Sequence, residues 1–456
     1  MNKREFLKLL ALVLLGSGTS AYGERDNTGV MNRNRRVVVI GAGLAGLAAT
    51  RELMRAGHQA VVLEARDRIG GRIWTSNKWP DLPLDLGATW IHGTTDNPLS
   101  DLADRLGARR LITSDERTVI YNTNGQEITV AKEAKLESVR EKISEALRKT
   151  HGSETDTSVR QALTSLELKY ANDPEALRFL NFCVSGSIEQ EYAGGANRLS
   201  SHWYDSAQEF VGDEVLFAQG FKVLTEYLAQ GIDVKLSQVV KEIRWQESEV
   251  RVRTADREFL ADQVVVTLPL GVLQNSDVRF TPELPKEKRD AISKLGMGVL
   301  NKCYLRFEQA FWPDDVDWLE YVSAKHGEWT EWVSFQRVVK KPILLGFNAA
   351  DRGREIETWS DEQIVASAME TLKAIFGTDI PQPIDWLITR WASDSFARGS
   401  YSYNALGSTP KMRDTLASAL NGRLFFAGEA TNKDYFGTAH GAFLSGLRVA
   451  KDILST

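Results

Sequence analysis

Hydrophobic positions along the chain change period several times, and each change predicts an element. Residues 37–40 are an unbroken apolar run, the pattern of a strand covered on both faces of a parallel sheet. Residues 44–55 carry apolar side chains at helical spacing, and Gly57 stops that helix. A second short apolar run at 60–63 makes the opening a strand–helix–strand unit. From about 101 to 192 the texture is helical, and 132–149 reads as an amphipathic helix whose charges form a solvated face. Strand-like runs follow at 239–245, 249–254 and 263–267. Two more, at 300–307 and 343–347, precede a helix at 361–376. The chain closes with an apolar run at 424–427 and a helix over 439–453. No internal repeat or low-complexity tract interrupts this order.

Length and composition bound the picture. At 456 residues the chain is too long for one simple core, so two intimately joined domains are expected. Hydrophobic content of 43% and charged content of 26% are those of an ordinary globular protein. A net charge of -5 argues against a general nucleic-acid binder. Of the 12 tryptophans most belong in the core, and some could line a pocket for a flat or cationic ligand. Cys183 and Cys303 form neither a disulfide framework nor a zinc spacing; they read as buried thiols, and no metal is expected. At the N-terminus, basic Lys3, Arg4 and Lys8 precede an apolar run at 9–15 too short to span a membrane. Small residues follow, with cleavage expected after Ala21 or Gly23. The order from Asn2 to Lys8 resembles a twin-arginine signal with Lys3 in place of the first arginine. Export to the periplasm or beyond through that machinery is the expectation; anchorage by an uncleaved N-terminus is the alternative. Losing this segment would leave the chain more acidic, a balance that favours cationic ligands.

The chemistry begins at Gly41-Ala42-Gly43-Leu44-Ala45-Gly46, a GxGxxG turn directly after a strand and opening a helix. Gly41 permits the tight turn, Gly43 lets the backbone approach a pyrophosphate, and Gly46 allows close packing of the helix. The helix N-terminus offers unpaired N–H groups to phosphate. Glu64 closes the second apolar run, where its carboxylate can accept from ribose hydroxyls and repel a 2′-phosphate. Ala65, Arg66, Gly70, Gly71 and Arg72 follow at once, giving backbone and basic donors for a second approach to the diphosphate. A nicotinamide dehydrogenase has no need of that extension, so FAD is the better fit. Glu429 follows the 424–427 run and so lies at a strand end, where ligands collect. Thr438 and Ala439 open the last helix, whose N-terminus can stabilise an anionic reduced flavin ring. Strand alternation puts Leu300, Lys302 and Tyr304 on one face, and a lysine inside an apolar strand needs partners.

These segments, with Gly87-Ala88-Thr89-Trp90-Ile91-His92-Gly93, resemble the flavin-containing amine oxidases, most of all the polyamine and spermine oxidase branch, with the lysine-specific histone demethylases as cousins. The resemblance covers nearly all of the chain after residue 36. It implies an α/β fold in which a Rossmann-like FAD-binding domain (36–100, 201–285 and 391–456) interleaves with an α+β substrate domain (101–200 and 286–390) behind a leader at 1–23. It implies cofactor contacts from the residues just named and from Val240. It makes Lys302 the lysine that holds a water near the flavin, and Tyr401 and Tyr435 two rings that flank the substrate nitrogen. Trp391 packs near the flavin and His92 can bond a distal amine. Members that bind FAD covalently use a cysteine near the C-terminal motif; residues 433–438 have none, so the FAD is expected to be non-covalent. The activity implied is oxidation of a small amine by hydride transfer to the flavin, then imine hydrolysis and reoxidation by O2 to H2O2. An L-amino-acid oxidase of the same superfamily is the alternative; it requires an arginine clamp, which spacing does not identify, with Arg398 left open. A non-catalytic flavin protein is the reading from a different class. Glu189 and Glu191 are the acids expected to grip the far end of a polyamine.

Overall fold

The computed structural model describes residues 34–151, 153–246 and 248–456; the leader reading at 1–23 falls outside them. A five-stranded sheet organises the nucleotide half, in the order Leu424–Phe426, Gln263–Val266, Arg36–Ile40, Gln59–Leu63 and Asp233–Lys235. Every neighbouring pair in it is parallel. Both faces are covered, which is why Val37 to Ile40 and Val264 to Val266 are apolar without alternation. The strands come from widely separated stretches, so the first and last segments of the chain lie in one sheet.

Two helices fix that closure. Leu44–Arg55 buries Leu44, Ala45, Leu47 and Ala48, and the closing helix Ala439–Leu454 packs against it. Contact is close because Gly446 has no side chain: a Cβ there would stand 2.3 Å from the carbonyl oxygen of Ala45. Gly41, at φ +107°, shapes the turn before the first helix, and a Cβ on Gly46 would meet the Gly41 carbonyl oxygen at 2.0 Å.

The other half rests on a six-stranded sheet, in the order Asp385–Ile388, Leu300–Arg306, Ile343–Ala349, Glu331–Ser334, Trp318–Tyr321 and Thr118–Tyr121. The helix Val130–Thr150 packs on Pro174–Cys183, and that helix runs on as a π-helical stretch, Val184–Gln190, buried throughout. Widened turns of this kind recur at functional sites, and this one delivers Gln190 to the cavity between the halves.

Several sequence expectations are adjusted. The run at 239–245 yields only Glu242–Arg244, which belongs to a separate four-stranded sheet with Glu258–Ala261, Val250–Arg253 and Arg279–Thr281. The fifth nucleotide-sheet strand is Asp233–Lys235, three residues with one apolar side chain at the sheet edge, too short to leave a periodic signal. Glu214–Phe217 pairs with Trp90–Ile91 and Arg110–Thr113, also unread in the sequence. The helix Asp361–Phe376 starts where expected because Ser360 and Gln363 form a capping box.

Gly446→Ala should destabilise the protein by about 1–3 kcal/mol, the usual cost of overpacking a tight contact. Chemical denaturation of the holoprotein measures it; an unchanged midpoint would mean that the two helices separate freely.

Candidate active site

A cavity of about 1130 Å³ runs between the two halves. That exceeds the roughly 300–1,000 Å³ of an ordinary small-ligand site and leaves room for a dinucleotide with a substrate beside it. Gly41, Gly43, Ala45, Glu64, Ala65, Arg66, Gly71 and Arg72 line one arm, with Val240. Gly87, Ala88, Thr89, Trp90, Lys302 and Trp391 line the middle, and Glu429, Thr438 and Ala439 close it. Gly46 lies outside the wall; its role is the helix contact already described.

The nucleotide arm is shaped before any ligand enters. Gly43 caps the first helix without a side-chain hydrogen bond, so the first-turn amides stay available to an anion. Glu64 is buried and oriented by its loop: the Ala42 N–H donates to Oε2 at 2.7 Å and the Arg66 N–H to Oε1 at 2.9 Å. The Arg66 guanidinium, expected at the diphosphate, forms a two-pronged pair with Asp394 at 2.9 and 2.8 Å. Arg72 donates to Glu429 Oε1 at 2.8 Å and to the Ser400 carbonyl at 2.9 Å. The glycines, the uncapped helix, Glu64 and the cavity's size together fit an FAD, and these residues would hold it.

Lys302 sits in the middle of this wall. Its ammonium donates to the carbonyls of Asp85 at 2.9 Å and Gly87 at 2.7 Å, and to the Thr89 hydroxyl. Burial pulls it down to about 7, against the raising influence of the Asp85 carboxylate. Asp85, unread in the sequence, is itself pushed up to about 6 by burial; it accepts from Thr75 and from the Phe221 N–H. Protein acceptors thus occupy the three ammonium protons, and holding a water requires one of them to be released. Trp391 is buried, donates to the Leu86 carbonyl at 3.2 Å and meets Trp74 edge to face.

The aromatic wall differs from expectation. Tyr401 lines the cavity and its hydroxyl donates to the Gln190 carbonyl at 2.7 Å. Tyr435 does not line it. Phe210 lies flat on Tyr435, with ring centroids 4.8 Å apart and planes 1° from parallel, and presents its own ring to the cavity. Phe210 is fixed there because the Gln208 N–H donates to the Asp434 carbonyl at 2.6 Å. No local pattern in the sequence marks a ring brought from so far away. His440 stands edge-on to both rings, and its Nε2 is buried with no hydrogen-bond partner among the described residues. His92 is exposed into the cavity mouth and bonds Glu214 at 2.6 Å, which also accepts from the Gly93 N–H.

The acid pair is half corrected. Glu191 lines the cavity, but Glu189 turns away, accepting from the Ala196 N–H at 2.9 Å and bonding His326 at 2.6 Å. Carboxyl side chains nevertheless outnumber lysines and arginines around the cavity, among them Glu127, Glu133, Glu191, Asp205, Glu320 and Glu331. Arg398 is engaged by Asp277 at 2.5 and 3.0 Å. Cys183 and Cys303 are free and buried, and burial pushes both thiols up.

A parallel nucleotide sheet, an uncapped glycine turn and a cavity shared with a second domain define a flavin-dinucleotide oxidoreductase fold. Residues 44–454 match the family model described as flavin containing amine oxidoreductase, and the chain belongs to that family. It is 33% identical over 449 residues to polyamine oxidase 2 of Arabidopsis thaliana, covering 94% of this chain and 89% of the relative. It is 34% identical over 441 residues to lysine-specific histone demethylase 1 homolog 1 of the same plant, covering 92% of this chain and 52% of the relative. The chain thus spans about half the length of that relative. Among solved structures, a putrescine oxidase bound to putrescine superposes with a TM-score of 0.75 at 21% identity, over 92% of this chain and 99% of that one; this likeness concerns the fold.

Burial lowers His440 from its ordinary 6.5 to about 3, with His92 adding to the effect and Glu214 opposing it. The unfolded chain takes up this proton near 6.5 while the folded one does not, so stability is lost as pH falls from 6.5 toward 3. His440→Gln should flatten that acid limb, measured as the urea midpoint against pH; an unchanged slope would place the sensitivity elsewhere.

Proposed function

We propose that this protein is an FAD-dependent oxidase of amines, acting on extended, multiply cationic amines such as polyamines and consuming O2. The observation that carries the reading is the cavity itself, in which a nucleotide arm of glycines and Glu64 meets a second arm rich in carboxyl groups, with Lys302 between them. A surplus of acids concentrates cations and raises their rate of entry. The names of its relatives, a polyamine oxidase and a histone demethylase, agree with a cationic substrate nitrogen in a family of amine oxidoreductases.

When bound, the flavin supplies the electron sink and returns those electrons to O2. The chain's own part is positioning. Tyr401 and the Phe210 ring, backed by Tyr435, offer flat electron-rich faces to an amine. Trp90 and Trp391 exclude water beside Lys302. The amine must lose its proton before its carbon can give up hydride, so kcat/KM should rise with pH through the amine's pKa.

The amino-acid oxidase reading is weakened by Arg398, whose guanidinium is already held by Asp277. A peroxide assay comparing spermidine, spermine, tyramine and leucine decides between the two. Turnover of the polyamines is expected; turnover of leucine alone would replace this reading with the other.

Lys302→Met should slow anaerobic flavin reduction or aerobic reoxidation by about ten-fold or more, within the range of positioned proton-handling groups. Stopped-flow traces identical to wild type in both phases would remove Lys302 from the chemistry.

A further inference from the structure

We propose that the segment 85–89 lets Lys302 change its proton state in place: the Asp85 carboxylate is the buried counter-charge that keeps the proton on, and the Thr89 hydroxyl is the partner that serves the lysine in either state. Both are positioning residues that act through Lys302. The proposal rests on the oxidase reading for its use in turnover and on its own geometry for the residues.

Lys302, Asp85 and Thr89 are 5%, 4% and 5% exposed. The ammonium donates to the carbonyls of Asp85 and Gly87 and to the Thr89 hydroxyl, so one short segment supplies all three acceptors. A carbonyl can only accept, whereas a hydroxyl can accept or donate. When the ammonium loses a proton, the amine that remains has two N–H groups and a lone pair. The two carbonyls keep the N–H groups, and the Thr89 hydroxyl turns to donate to the lone pair. In the ammonium state that hydroxyl has the Gly87 carbonyl at 3.2 Å and the Asp85 carbonyl at 3.4 Å to receive its own proton. Neither state leaves a buried polar group of the cage without a partner, and no backbone has to move. Lys302 lines the cavity, and the proton passes to and from water there.

The Asp85 side chain is supported as a carboxylate. The Thr75 hydroxyl donates to it, and the Phe221 N–H, which opens the helix Lys222–Ala229, reaches both oxygens at 3.0 Å. A negative charge is favoured at a helix N-terminus. Asp85 raises the proton affinity of Lys302 against the lowering effect of burial. Burial in turn raises Asp85, with Thr75, Lys302, the Phe221 N–H and Lys222 opposing. Tyr304, on the lysine's own strand, donates to the Asp85 carbonyl at 2.7 Å, and burial with Asp85 keeps that hydroxyl protonated. The Trp90 ring, 5.8 Å from Nζ, adds a weak preference for the cation. Removing one charge of a buried pair leaves the other uncompensated. Asp85 therefore decides at which pH Lys302 lets its proton go.

A second buried lysine supplies the comparison. Lys288 donates to the carbonyls of Thr415, Leu416 and Ser418, each at 2.8 Å, with the Ser418 hydroxyl at 3.3 Å and the Phe426 ring at 4.1 Å. These carbonyls close the helix Lys411–Ala417, where a cation is favoured. Burial and Arg448 lower Lys288 to about 7, with no carboxylate opposing among the described residues. It stands apart from the cavity wall. One caged lysine thus has a counter-charge and the other does not.

The test reads the lysine itself, without substrate. Holoenzyme is isotope-labelled at the lysine ε-carbon, the Lys302 signal is assigned by its absence from Lys302→Met, and its NMR shift is followed against pH. Asp85→Asn should lower the Lys302 midpoint by about one pH unit or more, a ten-fold loss of proton affinity, and leave Lys288 in place. Thr89→Val should lower it by less, because the bond to the ammonium is the stronger of the two that are lost. Thr89→Ser should keep the proton affinity within about two-fold of wild type. If Asp85→Asn does not fold, Thr75→Val decides: it keeps the carboxylate, removes one donor to it, and should move the midpoint the same way. A midpoint unchanged in the deciding variant, or one that moves together with that of Lys288, overturns the counter-charge. Thr89→Val without effect, or Thr89→Ser as damaging as valine, overturns the role of the hydroxyl. A Lys302 signal that never titrates in the folded protein overturns both. Failure of the oxidase reading shows separately, as a wild-type flavin that no amine bleaches.

Discussion

The structure depends on one buried carboxylate, that of Glu429. It is 3% exposed and sits just past the strand Leu424–Phe426, at the carboxyl edge of the parallel sheet. Arg72 donates to it at 2.8 Å, the Ser402 hydroxyl at 2.6 Å and the Gly437 N–H at 2.9 Å. Burial alone would raise its pKa, but Arg72, Ser402 and Arg413 outweigh that and hold the carboxyl below its ordinary range. Three chain segments thereby meet on one charge: the second glycine turn, the stretch bearing Tyr401, and the loop that opens the closing helix. Removing one member of such a buried network typically costs about 3–5 kcal/mol, whereas replacing the whole by well-packed apolar groups often costs nothing. The network is therefore better understood as fixing relative position than as a source of stability.

From Glu429 the polar chain runs outward. Arg413, fully buried, donates to Ser402 Oγ at 2.7 Å and to Asn404 Oδ1 at 3.0 Å, and its guanidinium lies 4.0 Å over the Phe436 ring. Asn404 donates to the Trp203 carbonyl at 2.9 Å and to Ser206 at 3.0 Å, on either side of Asp205. The residue that faces the substrate arm is thus held, through backbone and side-chain hydrogen bonds, by the carboxylate that organises the cofactor arm.

Legibility in the sequence followed the range of the interactions. The glycine turn and the closing helix were readable, and Glu64, Arg72 and Lys302 stand on the cavity wall as expected, because each position is written within a few residues: a turn, a strand end, an alternating face. Asp85, Phe210 and Glu214 were not, because each meets a partner far away in the chain: Lys302, Tyr435 and His92. Arg66 and Glu189 show that a suggestive position does not reveal a side chain's protein partner. Both stood at suggestive positions, yet Asp394 and His326 claim them. Charge behaved the same way: a net -5 spread over 456 residues says little, while acids outnumber lysines and arginines around the folded cavity. Tyr435 was found in the right neighbourhood and given the wrong face of the wall, since nothing local reveals that Phe210 covers it.

The strand Leu300–Arg306 shows how one element serves both sides of the site. Lys302 and Tyr304 leave one face, and both bond the carbonyl of Asp85, at 2.9 and 2.7 Å. Asn301 leaves the other face, where its carbonyl accepts from the Trp391 N–H at 3.0 Å and its amide donates to Glu357 at 2.7 Å. Glu357 in turn accepts from the N–H groups of Ala392 and Ser393, both at 2.8 Å. A one-residue slip of this strand would exchange its faces and put an asparagine where the ammonium belongs. Seven paired residues with Ile343–Ala349 prevent that slip. Trp391 follows the strand Asp385–Ile388, paired along the other edge of Leu300–Arg306, so Trp391 and Lys302, separated by almost ninety residues, reach the same cavity wall through one central strand.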